Sequence, residues 1–518
     1  MLSTRLSLQI GLLAAALCLG GCDEASSPLN ERLDLLAPHA INDHVVFIDK
    51  KGDQAFVVNV TDAELNTSPS RVALPQGVRS ATSRNGHSDQ LLILAAGAGA
   101  TSESPERAAL TVLDSSGIAE SYEFDSTFNV LSQSSDGRFV ILSYSENATS
   151  ESMLFNPLEI AIIDLDVPFA EGTNPRLRTL RSFGDSPKKV IFSPEMTITG
   201  ETRRLAVVLF DRDVALLDLG DTTLPDITVP VSESRSLGLS QVEFDTVEGQ
   251  IYLRGDSSDD IYVLSLVVPD ASRVNAFQPS RTQLDGGSNP EDIALYRTGD
   301  DESRVISVSS FTATIIDAGT SRTYPIGLDS AASRVLLFNG ESPFDANLEE
   351  RALFYKPGSQ SLSFLDLDDA EERGHRNLQT LTGLQGSYSK LIPLADNTAL
   401  LIHTGTGLSL LDMDERTVTP IGSSQSLGDA TFDAAHQTLW LAPQGSNTIG
   451  FLDLTNSHPG EVALDDTIDN FVMVPSETAP KLVLTHDTNL GYMTILNASD
   501  PGSSPSALRG YFLDGVLQ

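Results

Sequence analysis

One short pattern returns ten times along this chain: two apolar residues run into a small polar one, at intervals of 41 to 55 residues. The polar positions are Asn59, Asp114, Asp164, Asp218, Ser265, Asp317, Asp366, Asp412, Asp453 and Asn497. Immediately before them stand Val58, Leu113, Ile163, Leu217, Leu264, Ile316, Leu365, Leu411, Leu452 and Leu496. A period of this size marks one supersecondary unit used repeatedly. Each copy closes a hairpin made of two short runs rich in Val, Ile, Leu, Phe and Tyr, which suits strands. Arg204 to Phe210 with Val214 to Leu219 is one such hairpin, and Arg304 to Ser309 with Thr312 to Asp317 is another. Thr438 to Ala442 with Thr448 to Leu454, and Lys481 to Thr485 with Tyr492 to Asn497, repeat the arrangement.

Several runs are apolar without alternation, such as Ala161-Ile162-Ile163 and Ala215-Leu216-Leu217. A strand of that kind is buried on both faces. An antiparallel fold supplies such burial when sheets stack radially, with each blade pressed between two others. Val190 to Phe192, Ile293 to Leu295, Val335 to Phe338 and Phe471 to Val474 precede their hairpins and are expected as innermost strands. Arg178 to Ser182, Ile227 to Val231 and Arg416 to Ile421 follow theirs and are expected as outer strands. The expected fold is therefore all-β: a β-propeller of about ten four-stranded units spanning residues 41–518. A single ring is favoured, while a smaller ring with extra hairpins and two fused rings fit the same count. Closure would bring residues 40–46 against residues 508–513. Residues 97–107 and 147–151 read as loose loops within hairpins.

The recurring polar residue closes the second strand of its hairpin. A short carboxylate or amide there accepts hydrogen bonds from backbone N–H groups two residues on and caps a turn. Ten copies argue for a structural turn role, because a nucleophile or general acid is needed once.

Residues 1–21 read as a signal peptide, with Arg5 in front and an apolar stretch from Leu8 to Leu19 that is short for a bilayer crossing. It ends in Leu19-Gly20-Gly21-Cys22, which resembles the lipobox of bacterial lipoproteins. The resemblance implies lipidation of Cys22, cleavage before it and stable anchoring by several acyl chains. Asp23 resembles an inner-membrane retention signal of enterobacteria, a rule that differs between bacterial groups, so inner and outer membrane both remain open. Residues 22–40 read as the lipidated cysteine and a tether. Cys18 leaves with the signal, so the processed chain holds a single cysteine and forms no internal disulfide.

With 33 basic and 71 acidic residues the formal charge is −38, a field that repels nucleic acids and anionic lipid faces. The eight histidines, His39, His44, His87, His375, His403, His436, His458 and His486, show no metal-ligand spacing. His403 and His486 end the first strand of their hairpins and are expected at comparable heights on one rim. Gly-x-Ser-x-Gly does not occur, and Ser134 to Gly137 reads as a plain turn. The runs Asp256 to Asp260 and Asp366 to Asp369 lack the spacing of a calcium loop. No cofactor is expected; if a cation binds, carboxylate oxygens favour calcium.

Gly184 to Val190 and Gly287 to Ala294 resemble the Gly-x-x-Pro-x-x-Val/Ile-Ala opening of YVTN-type bacterial propeller repeats, with Ile191 replacing the alanine in the first. Ser446 to Asp453 is similar to that family's Asn-x-Val-x-Val-Ile-Asp strand. The WD-repeat signature is absent: Trp440 is the only tryptophan. The expected function is a lipid-anchored cell-envelope scaffold that binds a protein, peptide or glycan without catalysis. The alternative is a metal-dependent hydrolase of lactonase type, with a divalent cation in the central channel.

Overall fold

The computed structural model describes residues 33–508, apart from 62–68, 98–106, 146–155, 183–185, 233–235, 268–276, 299–301, 342–347, 369, 395–396, 406, 422–426, 434–435, 444, 455–457, 476–479, 488–490 and 504. Ten antiparallel sheets follow one another along the chain, at residues 39–73, 78–124, 130–179, 189–230, 239–285, 292–332, 334–382, 388–420, 427–463 and 470–508. These are blades 1 to 10 of a propeller ring. Within each blade the strands lie in sequence order, and first strands of adjacent blades approach one another around the axis. The first strand is therefore innermost, and the fourth, such as Ser70–Ala73 or Thr417–Pro420, is largely exposed.

Burial explains why unalternated apolar runs are tolerated here. Leu205–Leu209, the second strand of blade 4, is buried along its whole length. Val207 and Leu209 face blade 5, whereas Ala206 and Val208 face blade 3. Ten apolar clusters are found among the described residues, and each fills one seam between adjacent blades. The tenth seam closes the ring. Val45, Phe47, Phe56 and Val58 of blade 1 share a cluster with Val474, Val483, Met493 and Ile495 of blade 10. Ala40 and Leu508 pack against that cluster, and residues 509–513 lie outside the described residues.

Because neighbouring strands are antiparallel, first-to-second and third-to-fourth turns share one rim, which carries the ten marked positions. Second-to-third turns and the crossings between blades share the other. The chain enters on that second rim, where Leu36 N donates to Ile48 O and Lys50 N to Asp34 O.

Blade 6 departs from the pattern in detail. Its two middle strands form one continuous β segment, Ser303–Asp317, whose halves pair separately with Asp292–Arg297 and Arg322–Ala332. The segment doubles back at Ser310, whose φ is 43°, so that Ser307 Oγ reaches Thr314 O at 3.5 Å. Blade 4 carries an extra hairpin, Met196–Ile198 with Glu201–Arg203, which reaches over blade 5 through Thr197 N donating to Thr246 O. The fourth strand of blade 3 is Arg176–Thr179, two residues ahead of its expected start, because Ile160 pairs with Arg178. Among the described residues, a short α-helical turn, Ala370–Arg373, and a 3-10 turn, Gly374–Asn377, lie between strands of blade 7.

Candidate functional site

Among the described residues, seven of the marked positions accept hydrogen bonds from backbone N–H groups just beyond them. Asn59 Oδ1 takes Thr61 N at 2.8 Å, Asp114 Oδ1 takes Ser116 N at 2.7 Å, and Asp164 Oδ1 takes Asp166 N at 3.1 Å. Asp218 holds Gly220 N, Asn497 holds Ser499 N, and Asp317 and Asp412 reach one residue further, to Thr320 N and Glu415 N. Asp366 instead takes Arg416 Nη2 at 2.6 Å and lies 3.0 Å from Arg351 Nε. Ser265 has its backbone oxygen 3.5 Å from Ser280 Oγ, and Asp453 pairs with Thr438 across the hairpin. The marked positions stay in ten separate turns and are not gathered into one cluster.

Arginines on this rim tie blade to blade. Arg84 meets Asp166 at 3.0 Å across the seam of blades 2 and 3, and Arg297 meets Asp245 at 3.0 Å across that of blades 5 and 6. Arg204 pairs with Asp136 between blades 3 and 4, and Arg304 pairs with Glu371 between blades 6 and 7. Burial of Asp245, and of Arg304 with Glu371, strengthens those two contacts by reducing water's screening, whereas Asp166 and Asp136 stay exposed.

Two histidines form the same arrangement in blades 8 and 10. His403 Nε2 lies 2.8 Å from Ser409 Oγ, and His486 Nε2 lies 2.7 Å from Thr494 Oγ1. Their Nδ1 atoms face the carbonyl oxygens of Gly386 at 3.3 Å and Thr467 at 2.9 Å. A carbonyl only accepts, so Nδ1–H donates and Nε2 is left to accept the hydroxyl proton. The separation alone would suit a nucleophile and its base. The setting does not: Ser409 is 1% exposed, Thr494 3%, and the device recurs in two blades that blade 9 separates. Each histidine fastens the crossing that precedes its blade onto its own hairpin. The sequence signal is a hydroxyl three residues before the marked position, which Thr111, Thr314 and Ser363 share.

Nearer the axis, glutamine side chains copy a strand's pairing across a seam. Gln241 Nε2 donates to Ile293 O at 2.8 Å while its Oε1 accepts Ile293 N at 3.1 Å. Gln133 binds Ser83 O and Asn85 N in the same way. Beside Gln241, Glu243 is half-buried, and desolvation, opposed by a hydrogen bond from Gln241 and reinforced by Asp292, pushes its carboxyl up to about 7. Asp292 Oδ2 accepts Val335 N at 3.1 Å, which extends the linkage to blade 7.

The acidic runs diverge. Asp256 meets Arg254 at 2.8 Å, Asp259 Oδ1 accepts Asn289 N at 2.8 Å, and Asp260 Oδ2 accepts Gln283 Nε2 at 2.6 Å. Asp369, Cys22, Gly184 and Asp185 lie outside the described residues, as do the loop segments 98–106 and 146–155. Ser134 to Gly137 is a turn closed by Gly137 N donating to Ser134 O at 2.9 Å. Among the described residues no group of three or more His, Cys, Asp or Glu is arranged to hold a metal ion.

No protein-family profile matches the chain. No curated protein matches it either. Among solved structures it is similar in fold to the dihydro-heme d1 dehydrogenase NirN in complex with DHE, at 10% identity and a TM-score of 0.39, covering 85% of this chain and 79% of that one. A eukaryotic initiation factor is matched at 11% identity and a TM-score of 0.44, over 92% of this chain and 96% of the other. A functionally unknown protein from Desulfotomaculum acetoxidans DSM 771 is matched at 9% identity and 0.33, over 69% and 95%.

Proposed function

We propose that this chain is a lipid-anchored propeller of the bacterial cell envelope, tethered through Cys22 and serving as a non-enzymatic scaffold for a protein, peptide or glycan. The observation that carries the scaffold reading is the employment of its polar side chains. His403, His486 and most of the marked residues each hold a turn, a hairpin or a blade crossing. A ring so fastened offers a rigid surface, and rigid surfaces bind with little ordering cost. The anchor reading rests on Leu19-Gly20-Gly21-Cys22 after an apolar stretch.

Two measurements test these halves separately. Acyl labelling in a bacterial host, followed by detergent phase partition, is expected to place the wild type in the detergent phase and Cys22→Ser in the aqueous phase. Equal partition of the two would overturn the anchor. Elemental analysis of purified protein is expected to find no stoichiometric divalent ion. A tightly held calcium, zinc or manganese together with lactone hydrolysis would replace the scaffold with the channel hydrolase.

A further inference from the structure

The chain arrives at its first blade already fastened to one rim. Leu33 and Leu35 pack into the seam that closes the ring between blades 10 and 1, and Leu36 packs into the seam of blades 1 and 2. Asp49 Oδ1 accepts Asp34 N at 2.9 Å, and Lys50 N donates to Asp34 O at 2.9 Å. Ten residues, 23–32, separate Leu33 from Cys22. Fully extended they reach about 40 Å, and as a relaxed coil about 20 Å. To turn the opposite rim toward a membrane, this tether would have to cross the width of blade 1 and descend its height, about 15 Å and about 20 Å. That path demands nearly full extension and costs conformational freedom. A relaxed tether holds the entry rim toward the lipid.

Two further features of the entry rim fit a phospholipid surface. Phe311 caps the turn between the second and third strands of blade 6, five blades around the ring from the tether, and is 60% exposed. The turn is a firm projection, because Glu291 N donates to Val308 O at 2.8 Å and Ser307 Oγ donates to Gly286 O, both on the crossing that enters the blade. Lysine is also one-sided. Lys50, Lys51, Lys188, Lys189, Lys356 and Lys390 stand on or beside the entry rim, and Lys481 is on the other. A lysine stem lies along apolar surface while its ammonium reaches a phosphate. Acidic side chains are interspersed, with Asp34 3.7 Å from Lys50 Nζ and Asp211 beside Lys188, so the rim offers both signs of charge. Both signs suit a zwitterionic headgroup, whereas an anionic one would meet the overall −38. The other exposed large apolar residues lie on blades 2, 3 and 5, off this rim, so the tether and not apolar area decides between the two faces.

We propose that the entry rim rests on the zwitterionic headgroups of the bilayer that holds the anchor, with Phe311 as its apolar contact across the ring from the tether. The marked rim then faces outward, toward partners. The inference rests on the lipid-anchor reading. A single aromatic contact is weak, but the tether holds it at high effective concentration over the lipid.

The test reconstitutes the lipidated chain into phosphatidylcholine vesicles whose acyl chains carry bromine, a short-range quencher of tryptophan. Trp440, the only native tryptophan, is buried, so the wild type supplies the baseline, and Phe311→Trp or Val247→Trp adds one reporter on the entry or the marked rim. Both are surface positions, and unchanged thermal unfolding verifies the fold. Brominated lipid is expected to remove at least half of the emission added by Phe311→Trp and to leave that added by Val247→Trp unchanged. Quenching at position 247 alone would invert the orientation, and quenching at both positions or at neither would mean that no one rim is held against the lipid; each of these results overturns the proposal. Vesicle flotation separates it from the anchor. Protein that floats without quenching at position 311 keeps the anchor and removes the rim contact, whereas wild type that fails to float removes both.

Discussion

Glu243 is a half-buried carboxylate beside Gln241 at the seam of blades 5 and 6. Its carboxyl, raised from 4.5 to about 7 by burial at the seam of blades 5 and 6, binds its proton more tightly in the folded chain than in the unfolded one. The folded state is therefore favoured below the unfolded value and loses that advantage as pH climbs from about 4.5 to about 7. Glu243→Gln removes the loss. Denaturant unfolding is expected to show it more stable than wild type by about 1–2 kcal/mol at pH 8 and equal to it at pH 4, after allowance for solvent screening. Equal curves at both pH values would contradict this account of Glu243. The clasp in blade 10 makes a second prediction. Thr494→Val leaves His486 Nε2 buried without its hydroxyl, at a cost of about 1–3 kcal/mol, while Thr494→Ser restores most of it. Sequence reading found both histidines and their common rim. It missed the hydroxyls because His403 and Ser409 are brought together by a hairpin, and the histidine follows no fixed spacing to the marked residue.

At the scale of the blade, the ten hairpins were legible because their middle strands are apolar on both faces and each ends at a small polar residue. Innermost strands were legible only where they are apolar. Val130–Gln133 and Val78–Ser83 carry polar side chains along much of their length, Gln133 among them clasping blade 2, and no apolar run announces them. The hairpin Met196–Ile198 with Glu201–Arg203 was also hidden, since only packing onto blade 5 gives so short a pair its stability. Fit between blades is tight at Gly137, where φ is +68° and an added Cβ would stand 2.1 Å from Asn85 O. Gly137→Ala is expected to lower stability by about 2–4 kcal/mol, through the strained φ and the displaced blade together. Gly172→Ala, with φ of +76° and open space around it, isolates the backbone contribution at about 1 kcal/mol. Equal losses at the two positions would mean that blades 2 and 3 do not meet as described.

For the whole molecule, the period counted the units but could not say how they close. Ring size depends on the angle between packed blades, which no local pattern encodes. Among the described residues closure rests on apolar packing: Phe47 and Phe56 of blade 1 share a cluster with Val483 and Met493 of blade 10, and the two sheets share no strand. Burying side chains of this size stabilises by about 1.5–3 kcal/mol each, so an open ring would forfeit a full seam. The most direct measurement is electron microscopy of the purified, detergent-free body viewed down its axis. Class averages are expected to show ten lobes around a central opening with no gap; fewer lobes, two rings, or an open arc would contradict the account.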